Sequence, residues 1–382
     1  MDASDPKPAA PRRAPARAPI LSPRALNRAL LARQLLLRRV RLPPEAALAR
    51  LIGLQAQNPP SPYVALWSRV AGFDPERLGA LLVDRRAARL ALLRSTIHLV
   101  TAADAFAIRP LVQARLDREL ASLERTRALR GLDRAALARA AEAVLRDGPL
   151  TAEALRAALA ARLPGRDRAA LARAARNLVP LVQVPPRGLW GQGGQVRLAT
   201  AGSWLRAQPP GEASLEALLL RYLGAFGPAS AADAQTWSGL TGLAEVLERL
   251  RPRLRAFRDE TGRELLDLPR APRPEPGTPA PVRFLPDYDN ALLSHADRSR
   301  IISDAHRREL ASPNGALPGT VLVDGFVRAT WRVARAGPRA TLAVELLEDL
   351  SRAELAEVKD EGLRLVGFLA AGATVRSVRV EG

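Results

Sequence analysis

The chain has 382 residues, with 58 Lys+Arg against 39 Asp+Glu, three His and no Cys, for a formal net charge of +19 at pH 7. That length suffices for two or three buried cores, and 47% apolar with 25% charged residues is an ordinary globular mixture. The composition excludes a disulfide scaffold, a thiol enzyme and a Cys-ligated metal; no apolar run reaches membrane-span length and no secretory leader opens the chain, so the expected compartment is the cytoplasm.

An excess of positive charge this large points to a polyanionic partner. Of the 58 basic residues 56 are Arg, which a GC-rich genome favours, but that bias exchanges Lys for Arg without creating net charge.

Residues 1–22, rich in Pro, Ala and Arg with no apolar period, read as a disordered basic tail able to touch phosphates. A helix follows from Pro23 with Ser22 as its N-cap, carrying Leu26, Leu30 and Leu31 on one face. Pro43-Pro44 opens a second helix through Leu51 and Ile52, a turn falls at Asn58-Pro59-Pro60, and a third helix covers 62–70. Further on, 147–155 (DGPLTAEAL) and 226–234 (FGPASAADA) both place Gly-Pro before a Thr151 or Ser230 N-cap and a short Ala-rich helix. Each is followed by a second helix, at about 166–178 and 241–251, and then by a hairpin. The hairpin strands are expected at 181–184 with 195–198 and at 254–257 with 264–268.

Helix, turn, helix, hairpin is the order of a winged helix, and the N-terminal part reads the same way with strands at 90–94 and 96–100. The expected fold is therefore α+β and helix-rich, with three tandem winged-helix units at 23–130, 131–205 and 206–270. The Pro-rich run 269–281 is a loop or linker into a C-terminal α/β region, 271–382. There Asp324-Gly325 reads as a tight hairpin turn, 352–368 as a helix and 374–380 as an edge strand.

Most catalytic signatures are missing. The sequence has no Walker A loop, dinucleotide glycine fingerprint, G-x-S-x-G elbow or H-E-x-x-H. No metal or cofactor is expected. Lys7 in the tail and Lys359 on the last helix are poor candidates for an imine-forming lysine. What remains is Leu54-Gln55-Ala56-Gln57-Asn58-Pro59, a pattern that also suits two amides capping a helix end. Asp287 and Asp289 are competing carboxylates, although an Asp-Tyr-Asp turn more often orders a loop. Trp331, in an apolar strand, reads as core.

The stretch 51–59 (LIGLQAQNP) resembles the Gln-hydrophobic-Gln motif of the AlkZ-like DNA glycosylases, a winged-helix family that also contains YcaQ-like enzymes. So do 94–100 (RSTIHLV), 284–302 (FLPDYDNALLSHADRSRII), Val323-Asp324-Gly325 and Thr330-Trp331-Arg332, in the family's order over roughly 24–380. A second Gln, where the YcaQ-like branch carries Asp, places the chain nearer the AlkZ-like branch. The resemblance implies three winged helices around a concave basic channel for double-stranded DNA. It also implies a monofunctional glycosylase that hydrolyses the N-glycosidic bond of N7-alkylated purines and extends to unhooking interstrand crosslinks.

Gln55 and Gln57 are then the catalytic pair. Arg94 and His98, and His295, Arg298 and Arg300 in a loop resembling the family's DNA-probing hairpin, are the expected DNA contacts. For His98, a structural hydrogen bond in its strand is favoured over catalysis. A monomer at the nucleoid is expected, with no membrane partner. A noncatalytic winged-helix regulator explains the charge and repeats equally well, and an RNA-binding module is a third reading.

Overall fold

The computed structural model describes residues 18–126, 128–207, 213–312 and 315–382. Most of the expected basic tail, residues 1–17, lies outside the described residues. Its end is ordered, because Ile20–Leu21 forms a short strand parallel to Arg258 and Asp259.

Three times the chain runs helix, short extended segment, helix, helix, hairpin. The first pass is Pro44–Leu51, Leu54–Gln55, Ser61–Arg69, Pro75–Val83, then the strands Ala87–Ala91 and Ile97–Thr101. The second is Arg134–Val144, Leu150–Thr151, Ala152–Arg162, Arg168–Leu178, then Leu181–Val184 and Arg197–Thr200. The third is Leu215–Phe226, the single bridging residue Ala229, Ala231–Ser238, Leu243–Leu250, then Arg255–Asp259 and Glu264–Asp267. In every pass the short segment pairs antiparallel with the second hairpin strand, at Leu54 with Leu99, Leu150 with Leu198 and Ala229 with Leu266.

Local chemistry explains where the helices start. Thr151 and Ser230 cap as expected, and Ser230 forms a full capping box with Asp233; such caps contribute about 1 kcal/mol each. The hairpins lie within two or three residues of their expected positions. Their pairing was not foreseen: Ala87–Ala91 also pairs with Leu181–Val184, so the first two passes share one six-stranded sheet.

The helix Pro23–Arg33 makes its polar contacts with the third pass and the C-terminal region. Asn27 Nδ2 donates to the Arg300 and Gly325 carbonyls at 2.8 and 2.7 Å, and Arg33 pairs with buried Asp267 through contacts of 2.7 and 2.8 Å. The Pro-rich run lies across this helix, accepting from Arg24 at Pro276 O and from Arg28 at Thr278 O (2.9 and 2.6 Å), which makes it a strap more than a linker. Several arginines thus work inside the protein, and the +19 is not all surface charge.

The C-terminal region is a five-stranded sheet in the order Arg283–Leu285, Gly319–Val323, Phe326–Ala336, Arg339–Leu346, Val375–Glu381. The helix Arg352–Leu369 packs Val358, Leu365 and Val366 against Phe284, Val321, Leu342 and Val344. Each such side chain taken from water contributes roughly 1.5–3 kcal/mol. Trp331 belongs to this core's margin, with its indole N–H on Leu285 O at 2.8 Å. Among the described residues no helix is long and apolar enough to cross a membrane.

Candidate active site

The helix Pro44–Leu51 ends on Ile52 and Gly53, both left-handed at φ 57° and 81°. A Cβ on Gly53 would sit 2.4 Å from Val100 Cγ1 and 2.9 Å from Leu99 O, so only glycine lets the chain fold back this closely. Leu54–Gln55 is thereby laid beside Ile97–Thr101, with Gln55 opposite His98, and Ala56 N extends the pairing to Ile97 O at 2.7 Å.

The glutamines therefore do not cap a helix. Gln55 closes the strand Leu54–Gln55, and Gln57 follows two residues on in the bend that leads to Pro59. Ala56 is buried in the core, Gln55 is 7% exposed and Gln57 is exposed. Both amides reach the end of the same hairpin, where the connection 92–96 enters the strand Ile97–Thr101. Gln55 Oε1 accepts from Arg94 Nη2 at 2.7 Å, and Gln57 Oε1 lies 3.5 Å from Ile97 N.

That connection carries Arg94 and Ser95 in the left-handed region at φ 56° and 63°, a conformation that costs non-glycine residues on the order of 1–3 kcal/mol each. Arg94 is held there from three directions. Besides Gln55, its guanidinium donates to Trp237 O at 2.6 Å and to Asn290 Oδ1 at 3.1 Å, and no carboxylate pairs with it among the described residues. Desolvation, aided by the charge of Arg298, lowers Arg94 to about 10, so it remains a cation at neutral pH.

Below the turn, buried Arg89 donates to Ala56 O at 2.8 Å, fixing the peptide between the glutamines. The turn is anchored on its other side by Asp287, whose carboxylate accepts from Asn58 Nδ2 and Ser61 Oγ. The next residue, Tyr288, is again left-handed at φ 56°. Asp289 has a different job: it is buried and takes both Nη atoms of Arg69 at 2.8 and 2.9 Å. A cleft of about 840 Å³ opens beside Pro59 and Pro60, with Tyr63, Trp190, Phe368 and Arg335 among its lining.

The structure thus brings Gln55, Gln57 and Arg94 together, with Arg298 half-buried nearby and its guanidinium without a hydrogen-bond or ion-pair partner among the described residues. The histidines and Arg300 sit differently. His98 is fully buried behind Gln55, its Nδ1–H donating to Thr96 O at 3.1 Å and its Nε2 unpartnered. Desolvation and the Arg94 charge pull it down to about 3. His295 is also buried, on Phe226 O at 3.0 Å, and is lowered to about 3 by desolvation and Arg300. Arg300 is buried beside it and donates to Pro228 O at 2.7 Å. All three side chains are buried, and His295 and Arg300 brace the loop 294–302 from within.

Sequence reasoning missed Asn290, Trp237 and the engagement of Asp287 with the turn. The first two contribute an amide and a carbonyl from distant elements, which leave no pattern in sequence. Asp287 was visible only as a competitor. Among the described residues no cluster of His, Asp and Glu could hold a metal.

A family model described as DNA glycosylase AlkZ-like matches residues 48–368. Among solved structures, the chain is similar to the Streptomyces sahachiroi DNA glycosylase AlkZ. The TM-score is 0.69 at 20% sequence identity, covering 95% of this chain and 100% of that one, a likeness of fold. No curated protein sequence matches it.

Proposed function

Because the chain belongs to the AlkZ-like DNA glycosylase family, we propose that it hydrolyses the N-glycosidic bond of N7-alkylated purines in double-stranded DNA, with Gln55 and Gln57 at the reaction centre. The three passes of helices and hairpin are read as winged-helix units lining a basic channel, with Arg298 as a DNA contact. The protein acts as a monomer at the nucleoid.

The chemistry suits neutral amides. Alkylation at N7 makes the purine cationic, so when the C1′–N9 bond breaks its electron pair enters the ring and the base leaves neutral, without a general acid. Water then adds through its oxygen to C1′ and releases one proton to solvent, leaving an apurinic site. The protein must position that water and present partial negative charge to the oxocarbenium-like sugar. An amide carbonyl supplies both, and the Asp287 carboxylate adds negative charge to the same turn. The cleft beside Pro59 and Pro60 offers room for a bulky adduct, and a site open to solvent suits a guanine still tethered across the duplex, so crosslink unhooking belongs to the same reading.

The observation that carries the reading is the placement of both amides against the strained end of one hairpin, with Gln57 open to solvent. The test is release of free base from a duplex containing one N7-methylguanine. Release by the wild type that vanishes in Gln55→Ala and Gln57→Ala supports it. Tight duplex binding with no release contradicts it and favours a noncatalytic DNA-binding role.

A further inference from the structure

Arg94 has an ion's charge but no counter-ion among the described residues, and it occupies a backbone conformation that arginine avoids. A guanidinium only donates, so the Gln55 atom 2.7 Å from Nη2 must be the amide oxygen, and the amide nitrogen is turned away from Arg94. That nitrogen has no protein partner among the described residues. Asn290 is held in the same sense: its oxygen faces Arg94 and its Nδ2 donates to Gly53 O at 3.4 Å, next to the turn that sets Gln55. The Trp237 carbonyl fixes the other Nη. Gln57, by contrast, meets only a backbone N–H at 3.5 Å among the described residues, and its oxygen can turn toward substrate.

We propose that Arg94 is a positioning residue that divides the work of the pair. By taking the Gln55 oxygen, it makes Gln55 a hydrogen-bond donor toward a phosphate oxygen flanking the lesion and leaves the water-orienting acceptor role to Gln57. The cation also polarises the Gln55 amide and strengthens its N–H groups as donors. The assignment rests on the proposed glycosylase reaction, and it replaces the expectation that Arg94 is itself a DNA contact.

Arg94→Gly is the informative variant, because glycine is at ease at φ 56° and the backbone loses strain instead of gaining it. Single-turnover base release should fall about 100-fold, the scale of a misplaced reacting group. The salt dependence of duplex binding should stay unchanged, because the phosphate contact of Gln55 is uncharged. Adding Arg94→Gly to Gln55→Ala should cost nothing further, and methylguanidinium should restore part of the rate to the single variant. A weaker affinity, with a salt slope reduced by about 0.9, would make Arg94 a phosphate contact and overturn the proposal. So would full additivity with Gln55→Ala. The side-chain amide resonances of Gln55 give a readout independent of turnover. They shift in Arg94→Gly if Arg94 holds the Gln55 oxygen, and unshifted resonances overturn its role. A wild type that releases no base overturns the underlying reaction instead.

Discussion

Spacing alone suited Gln55 and Gln57 to capping a helix end; the resemblance to the AlkZ-like motif made them the candidate pair, and neither revealed their roles. Those depend on which atoms reach them, and Arg94, Asn290 and Trp237 come from separate parts of the chain. Asp287 is similar: an Asp-Tyr-Asp turn announces loop order, and only the fold brings its carboxylate to Asn58 and Ser61. Asp287→Asn keeps the shape but removes the charge and one acceptor. Hydrogen bonds to charged groups contribute about 1.5–3 kcal/mol, so the turn should loosen. Base release in single turnover should fall roughly tenfold or more, with duplex affinity unchanged. An unaltered rate would remove Asp287 from the account.

At the scale of elements, the repeat was readable from Gly-Pro followed by Thr151 or Ser230, since capping is a local rule. The first pass lacks that signature because Ile52-Gly53 and Gln55 stand where the other two carry Gly-Pro and the capping hydroxyl, so the position of an N-cap is taken by a candidate site residue. The joining of two hairpins into one sheet was not readable, because partners as distant as Leu90 and Val182 leave no mark in either strand. The site also depends on Arg69 and Asp289, a buried bidentate pair tying the helix Ser61–Arg69 to the segment that carries Asp287. Arg69→Met leaves an unpaired buried carboxylate, so urea unfolding should show a loss of about 3–5 kcal/mol. A loss near zero would mean that the pair does not hold these elements together.

For the molecule as a whole, the charge pointed correctly to a DNA-acting family, although part of it serves as internal ties such as Arg33–Asp267. Burial gives the histidines a different consequence. Below the ordinary histidine value of 6.5 an unfolded chain takes protons at His98 and His295, whereas the folded chain holds both near 3 and does not. The unfolded state then binds more protons, so stability falls as pH drops from about 6.5 toward 3. Calorimetric melting temperatures should decline already between pH 7 and 5, before most carboxylates titrate. A flat profile over that interval would contradict the burial of the two rings.

The account depends above all on the leaving group being cationic, since neither glutamine can protonate a base. The most direct measurement compares release of N7-methylguanine with release of its imidazole-ring-opened, uncharged derivative from otherwise identical duplexes under single-turnover conditions. The cationic base should be released and the neutral one retained. Equal release of both would show that the enzyme activates the base itself, and the glutamine mechanism would not stand.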